Sequence, residues 1–246
     1  MQRHIQTPPA HWSIRGRIVY TSDAASDAGR PRGMETFNVT IHGDGTRIQR
    51  ATSVIDDPPH IVRDVTERVD AALRPIECFV GLRVGGAAAG SGWFRWADGT
   101  ASCEAETMAE GRVSQRIPYV EGPRAFCNHA IVGDAWMAAN YPLERGPGLF
   151  FFEQMFSPSM NKQGATGPRL AVLTMGIEYL GRQAVTVAAG TFDTHAFRLN
   201  SIVGPDQLCR ANLHYEIWTT TDGSYIAVQS MYRGQRRYEL VAYSEG

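Results

Sequence analysis

Period-two alternation of apolar and polar positions dominates the first half of the chain. Ile14, Ile18 and Tyr20 recur at even spacing, and Phe37, Val39 and Ile41 alternate with polar residues up to His42. Gly43-Asp44-Gly45 then supplies a turn of residues tolerant of positive φ, and Ile48–Val54 alternates back, which predicts a β-hairpin. Asp57-Pro58-Pro59 ends the pairing, because proline donates nothing to a ladder. Strands are further predicted over Val62–Asp70, Ile76–Val84, Gly92–Trp96, Thr100–Met108 and Arg112–Ile117, with Gly85 to Gly90 as a connecting loop. The second half repeats this character over Leu170–Leu180, Ala184–Ala188, Thr191–Ile202, Leu208–Thr220, Tyr225–Met231 and Tyr238–Tyr243. Asp222-Gly223 there is a hairpin turn.

The stretch between the two β halves has another rhythm. Across Ala125–Tyr141 the apolar residues Phe126, Ala130, Ile131, Ala135 and Ala138 fall mostly at helical spacing, and Pro142 ends the segment. An irregular loop from Leu143 to Pro168 follows, carrying the apolar run Leu149-Phe150-Phe151-Phe152. Such a run has to be buried somewhere, most simply as a lid over the mouth of a sheet. The expected architecture is one mostly β domain over residues 1–246, with a helix and lid insertion at about 125–168. It is an antiparallel β-barrel or half-barrel, lipocalin-like or lipoprotein-carrier-like, curled around an apolar cavity.

Composition narrows the function classes. With 43% hydrophobic and 20% charged residues the chain is an ordinary globular protein, and at 246 residues it is stable without disulfides or metal. A formal net charge of -1 leaves no basic excess to neutralise a phosphate backbone, which argues against a nucleic-acid partner. Cys78, Cys103, Cys127 and Cys209 form no CxxC pair and stand at no zinc-ligand spacing from a histidine. Free thiols in a reducing compartment are the first reading and a disulfide the second. No apolar run of signal-peptide or membrane-span length occurs, so the expected location is cytoplasmic, with an exported parent left open.

The segment Gln183–Leu199, QAVTVAAGTFDTHAFRL, resembles the C-terminal half of a bacterial domain-of-unknown-function family with a V-x-V-P-A-G-T-F-D-A hairpin. Its members end in a strand pair joined by Trp-x-Thr-x-Asp-Gly, here Trp218 to Gly223. The resemblance covers the last third of the chain and implies a curved antiparallel sheet related to lipoprotein-carrier and lipocalin-like barrels. The chain departs from that family in lacking its export signal and in carrying the insert from Phe126 to Gly167.

No phosphate loop, Rossmann fingerprint, nucleophile elbow or His-Glu-x-x-His helix is present, and no cofactor or metal is expected. The candidate chemistry is acid–base. His129 is the leading base, with Asp134 to orient it; Lys162, the only lysine of the chain, and Tyr141 are to hold an anionic or phenolic oxygen. His195 shares a strand face with Phe197 and Leu199 and is the second base. Phe151, Phe152, Phe156, Trp136, Asn161 and Tyr119 are the expected substrate contacts. His4, His11, His42 and His60 are expected at the surface, His214 beside Glu216, and any inward arginine among Arg63, Arg68 and Arg74 as an anion anchor. Three classes follow. The first is a cofactor-independent lyase, decarboxylase or isomerase acting on a small hydrophobic, aromatic molecule. The second is a non-catalytic carrier for a hydrophobic ligand, and the third an assembly protein using its aromatics as an interface. A homodimer is left open.

Overall fold

The computed structural model describes residues 11–202 and 215–246. Its fifteen strands form one sheet. The first eight make an uninterrupted antiparallel meander: β1 (His11–Ser22), β2 (Pro31–His42), β3 (Arg47–Ile55), β4 (Ile61–Val69), β5 (Pro75–Val84), β6 (Ala87–Ala97), β7 (Thr100–Thr107) and β8 (Gly111–Pro118). The short β9 (Ala125–Phe126) and helix α1 (Ile131–Ala138) come next. A second meander follows in β10 (Gly148–Ser157), β11 (Ala171–Val187), β12 (Gly190–Ile202), β13 (Tyr215–Thr220), β14 (Ala227–Tyr232) and β15 (Arg236–Glu245). β1 pairs with β15 and joins the two meanders, so the sheet runs from β8 at one edge to β9 at the other.

The hairpin at Gly43 forms as its sequence requires, with Ile41 opposite Arg47 and the Asp44 carboxylate accepting from the Thr46 amide at 2.9 Å. The expected strands are present with shifted ends. β6 begins at Ala87, which shortens the expected glycine loop to a tight turn. The two segments expected over 170–188 are one long strand, β11, that passes through a register shift at Gly181. There φ is +113°, a conformation open to glycine. The expected strand start at Leu208 and the residues His4, Cys209 and His214 lie outside the described residues.

Hydrogen bonding does not close the sheet into a barrel. Side chains draw its two edges together instead. The Gln115 amide on β8 brackets Leu170, accepting from its backbone N–H at 2.8 Å and donating to its carbonyl at 3.0 Å. Gln154 on β10 does the same for Val120, at 2.8 and 2.9 Å. Each carboxamide copies a peptide group and stands in for a missing rung of the ladder. Behind this seam Phe94 and Trp96 of β6 pack on Phe126 of β9, with ring centroids 4.9 Å apart in both pairs. Phe156 of β10 joins the same buried cluster.

The insertion differs from the expected lid. The helix is shorter, Ile131–Ala138, and all eight residues are buried, so it fills the interior of the curl. Gly133 permits this seating, because a Cβ there would lie about 2.4 Å from the Asn128 amide. The run Leu149–Phe152 is regular strand, with Phe152 turned into the core and Phe151 out to solvent. Its alternation placed half of the aromatic run outside, which removes the need for a lid. No described helix is long and apolar enough to cross a membrane.

Candidate functional site

The curl leaves a cavity of about 260 Å³ between α1, the inner faces of β10 to β12, and the ends of β1, β2, β14 and β15. Its apolar wall is Ile55, Met137, Met155, Leu173, Met175 and Leu199. Thioether side chains have no branch and several rotatable bonds, so this wall is adaptable. The segment Ser157 to Gln163 forms one rim, and Tyr215, Tyr232, Arg236 and Tyr238 stand on another side.

A buried polar scaffold positions the helix beside this cavity. Glu35 of β2, fully buried, accepts from the backbone amides of Ile131 at 2.8 Å and Val132 at 2.9 Å, and from the hydroxyls of Tyr20 and Ser53. No side chain at the N-cap, Ala130, serves the helix, so a carboxylate from a distant strand takes that role. Burial raises the Glu35 pKa, while the Val132 amide and its other donors oppose the rise. Arg63 of β4 is the second support. It is 1% exposed and donates to the carbonyl oxygens of His129 (3.0 Å), Gln163 (2.8 Å) and Gly164 (2.9 Å), tying both ends of the insertion to the sheet. Gly164 lets the guanidinium in, since its φ is +67° and any Cβ would collide with Arg63.

Three residues expected to carry chemistry, His129, Asp134 and Lys162, reach the cavity, as does Asn161, an expected substrate contact. Their partners differ from the expected ones. His129 precedes the helix at φ +64°, with Nε2 3.3 Å from the Ser159 carbonyl and 3.4 Å from Ser157 Oγ. A carbonyl only accepts, so Nε2 carries the proton. Burial, and after it the Arg63 charge, hold the ring's pKa down to about 3. Asp134 does not orient His129. Its Oδ2 accepts from Tyr215 at 3.0 Å, and its Oδ1 lies 3.6 Å from Cys127 Sγ. Burial raises this carboxyl to about 7 against the lowering hydrogen bond from Tyr215. Asn161 and Lys162 are exposed at the rim, where the Asn161 carboxamide caps the turn through Gln163 N.

The other expected contacts lie elsewhere. Tyr141 donates to the Gly146 carbonyl at 2.6 Å and packs against Tyr179 and Phe197. His195 is buried with Nδ1 2.9 Å from Tyr179 Oη, and burial followed by Arg182 lowers its pKa. Trp136 donates its indole N–H to Ser224 O, Phe152 and Phe156 are core, and Phe151 faces solvent. Tyr119 lies beneath the Arg124 guanidinium. His11 and His60 are exposed as expected and His42 half-buried. Cys78, Cys103 and Cys127 are free thiols. Among the described residues no three His, Cys, Asp or Glu side chains converge as metal ligands.

Glu35, Glu67, Arg32 and the tyrosines at 20, 215, 232 and 238 are not among the residues expected at the site, although Glu35 and Glu67 share the phase of their inward neighbours. Arg32, on β2, is 4% exposed, with Nε and Nη2 both bound to Asp57 at 2.6 Å and Nη1 without a partner. It too lines the cavity.

No protein-family model matches the sequence, and no curated protein matches it. The fold is shared with a β-barrel-like protein of domain of unknown function DUF1849 from Brucella abortus, at 13% identity. That match covers 96% of this chain and 97% of the other with a TM-score of 0.58. A DUF1089 family protein from Pseudomonas aeruginosa matches at 8% identity over 79% of this chain and 87% of its own, with a TM-score of 0.41. The expected likeness to a bacterial β-barrel-like protein of unknown function holds at the level of the fold, on the Brucella abortus match, and does not extend to lipocalins.

Proposed function

We propose that the protein is a lipocalin-like container that binds one small hydrophobic molecule in the cavity beside α1. The observation carrying this reading is the methionine-rich wall of Met137, Met155 and Met175 around an unfilled space of about 260 Å³. Apolar cavities with a few polar groups at one side are the usual form of small-molecule sites. Two ionisable residues facing the space are engaged with the protein itself. His129 is held on a backbone carbonyl and Asp134 on Tyr215, which favours a binding role over acid–base turnover. The direct test is titration with the neutral dye N-phenyl-1-naphthylamine. Saturable fluorescence enhancement at one site per chain supports the reading, and its absence overturns it.

A second reading, a cofactor-independent lyase or isomerase, is favoured by one observation: the Asp134 carboxyl borders the cavity and is raised to about 7. A carboxyl poised there donates and accepts protons near neutral pH. Under this reading Asp134→Asn abolishes turnover of a ligand that the protein still binds.

A further inference from the structure

One end of the cavity holds donors that the protein leaves unsatisfied. Ser22 of β1 pairs with Arg236 of β15, and Arg236 with Tyr232 of β14, so the three stand in a row across the sheet. Arg32 lies just beyond β1, at the register shift where Tyr20 faces Gly33 and Thr21 faces Pro31. This extra residue turns Arg32 inward, out of step with Glu35, Phe37 and Val39. Two of these side chains have a buried donor without an acceptor, Arg32 Nη1 and the Tyr232 hydroxyl. The Arg236 guanidinium lies 5.7 Å from the Tyr232 ring centroid and has no carboxylate within salt-bridge distance among the described residues.

Unmet buried donors are costly, and Arg32 Nη1 and the Tyr232 hydroxyl belong to side chains that line this cavity, where an acceptor supplied from outside meets them. The ion pairs around this end single out Arg236. Arg30 and Arg32 are paired with Asp27 and Asp57 through bonds of 2.7, 2.9 and 2.6 Å, and Arg237 with Asp23 and Glu239. Arg236, half-buried beside them, makes no ion pair with a described residue, and an unpaired guanidinium at a cavity suits an anionic head group. One wall, formed by Met155, Leu173, Met175 and Leu199, is aliphatic and thioether, suited to a chain of methylenes, while Ser157 to Gln163 make a polar rim.

We infer that the occupant is a monocarboxylate with an apolar tail, its head group held by Arg32, Arg236 and Tyr232 and its tail lying along Met155, Leu173 and Met175. This rests on the cavity being a ligand site, and it adds the charge and the orientation of the ligand. The Tyr238 hydroxyl lines the same cavity; burial raises its pKa, and the Arg32 guanidinium pulls it back through its charge and a hydrogen bond. A carboxylate accepts from a guanidinium, from a phenol and from a second guanidinium at once, which a neutral alcohol does not do.

The experiment is displacement of N-phenyl-1-naphthylamine from the full chain by decanoate and, separately, by 1-decanol at pH 8. The two share a tail and differ in head charge. The expected result is decanoate binding at least about tenfold more tightly than decanol. Arg236→Gln is expected to weaken decanoate by about tenfold and decanol far less, so that the preference is lost; Tyr232→Phe is expected to reduce it. Arg32→Gln also removes the Asp57 pair, so Arg236→Gln, on the half-buried cation, carries the test. Equal affinities in the native protein, or equal weakening of both ligands in Arg236→Gln, overturn the head-group assignment while the container reading stands. Failure of the dye and both ligands to bind overturns the container reading as well.

Discussion

Glu67 of β4 accepts a hydrogen bond from Asn128 Nδ2 at 2.6 Å, and the Asn128 carboxamide oxygen in turn accepts from the Ala130 amide at 2.8 Å. A buried carboxyl in the sheet is thereby linked to the first turn of the only α-helix among the described residues. Asn128 is itself fully buried, so the pair has no contact with solvent.

Burial raises the Glu67 pKa from the usual 4.5 to about 8, against the lowering hydrogen bond from Asn128. A folded-state pKa above the unfolded one means that the native protein holds the proton more firmly. The stabilisation is complete below about pH 4.5 and is lost as pH rises through about 8. Glu67→Gln keeps an oxygen for Asn128 and does not titrate. Between pH 6 and pH 9 the native protein is expected to lose about 3 kcal/mol relative to this variant. Urea unfolding at both pH values measures it; a difference that does not change with pH removes this account.

Glu35 answers to a different test, because four donors depend on it. Glu35→Ala strands two helix amides and two hydroxyls in a dry interior, and the expected loss is about 3 kcal/mol or more. Glu35→Gln retains a carbonyl oxygen facing the amides and is expected to lose less than half as much. Thermal unfolding of the two variants compares them. Equal losses would mean that the charge at the helix start, rather than hydrogen-bond acceptance, holds α1 in place.

The seam gives a local prediction. Gln115→Leu preserves side-chain volume and removes both hydrogen bonds to Leu170, at an expected cost of about 1 to 2 kcal/mol. Hydrogen exchange at the Leu170 amide is expected to quicken in this variant, because opening there no longer breaks a bond. The amides of β3 and β4, in the middle of the sheet, should keep their protection. Unchanged exchange at Leu170 would show that the packing of Phe94, Trp96, Phe126 and Phe156 holds the edges together without the amide bracket.

The strands were legible because their alternation is strict where one face is buried. β4 shows how far that extends: Ile61, Val65 and Val69 face inward, and Arg63 and Glu67 share their phase. The sequence thus already placed a guanidinium and a carboxyl in the interior, and the inward arginine expected as an anion anchor exists. Its acceptors are carbonyl oxygens from residues 129, 163 and 164, a pairing over more than sixty positions that no local pattern encodes. Arg32 was hidden for the opposite reason. The register shift beside it breaks the phase set by Glu35, Phe37 and Val39, so counting by two puts it on the wrong side. His129 and Asp134 are expected as a pair on one helix, and His129 lies before that helix. The left-handed turn at His129 directs its ring to Ser159 while the helix carries Asp134 toward Tyr215. The aromatic residues of the insert suggest a lid only without their strand phase, which turns Phe152 inward and Phe151 outward.

Filling the cavity separates ligand binding from stability. Leu173, on β11 and 8% exposed, lines the space, whereas Leu180 on the same strand is 40% exposed and does not line it. In Leu173→Trp the larger ring has existing room to enter, so little packing has to be displaced, and the midpoint of thermal unfolding is expected to stay within a few degrees. The volume taken up is lost to a ligand, and affinity for N-phenyl-1-naphthylamine is expected to fall by about tenfold or more. Leu180→Trp adds the same indole to the outer face and is expected to leave binding unchanged. If Leu173→Trp binds the dye as the native protein does, the dye sits on the surface, and the space beside α1 is not where an apolar molecule goes. If it unfolds instead, Met175→Phe, a smaller increase into the same space, makes the same comparison.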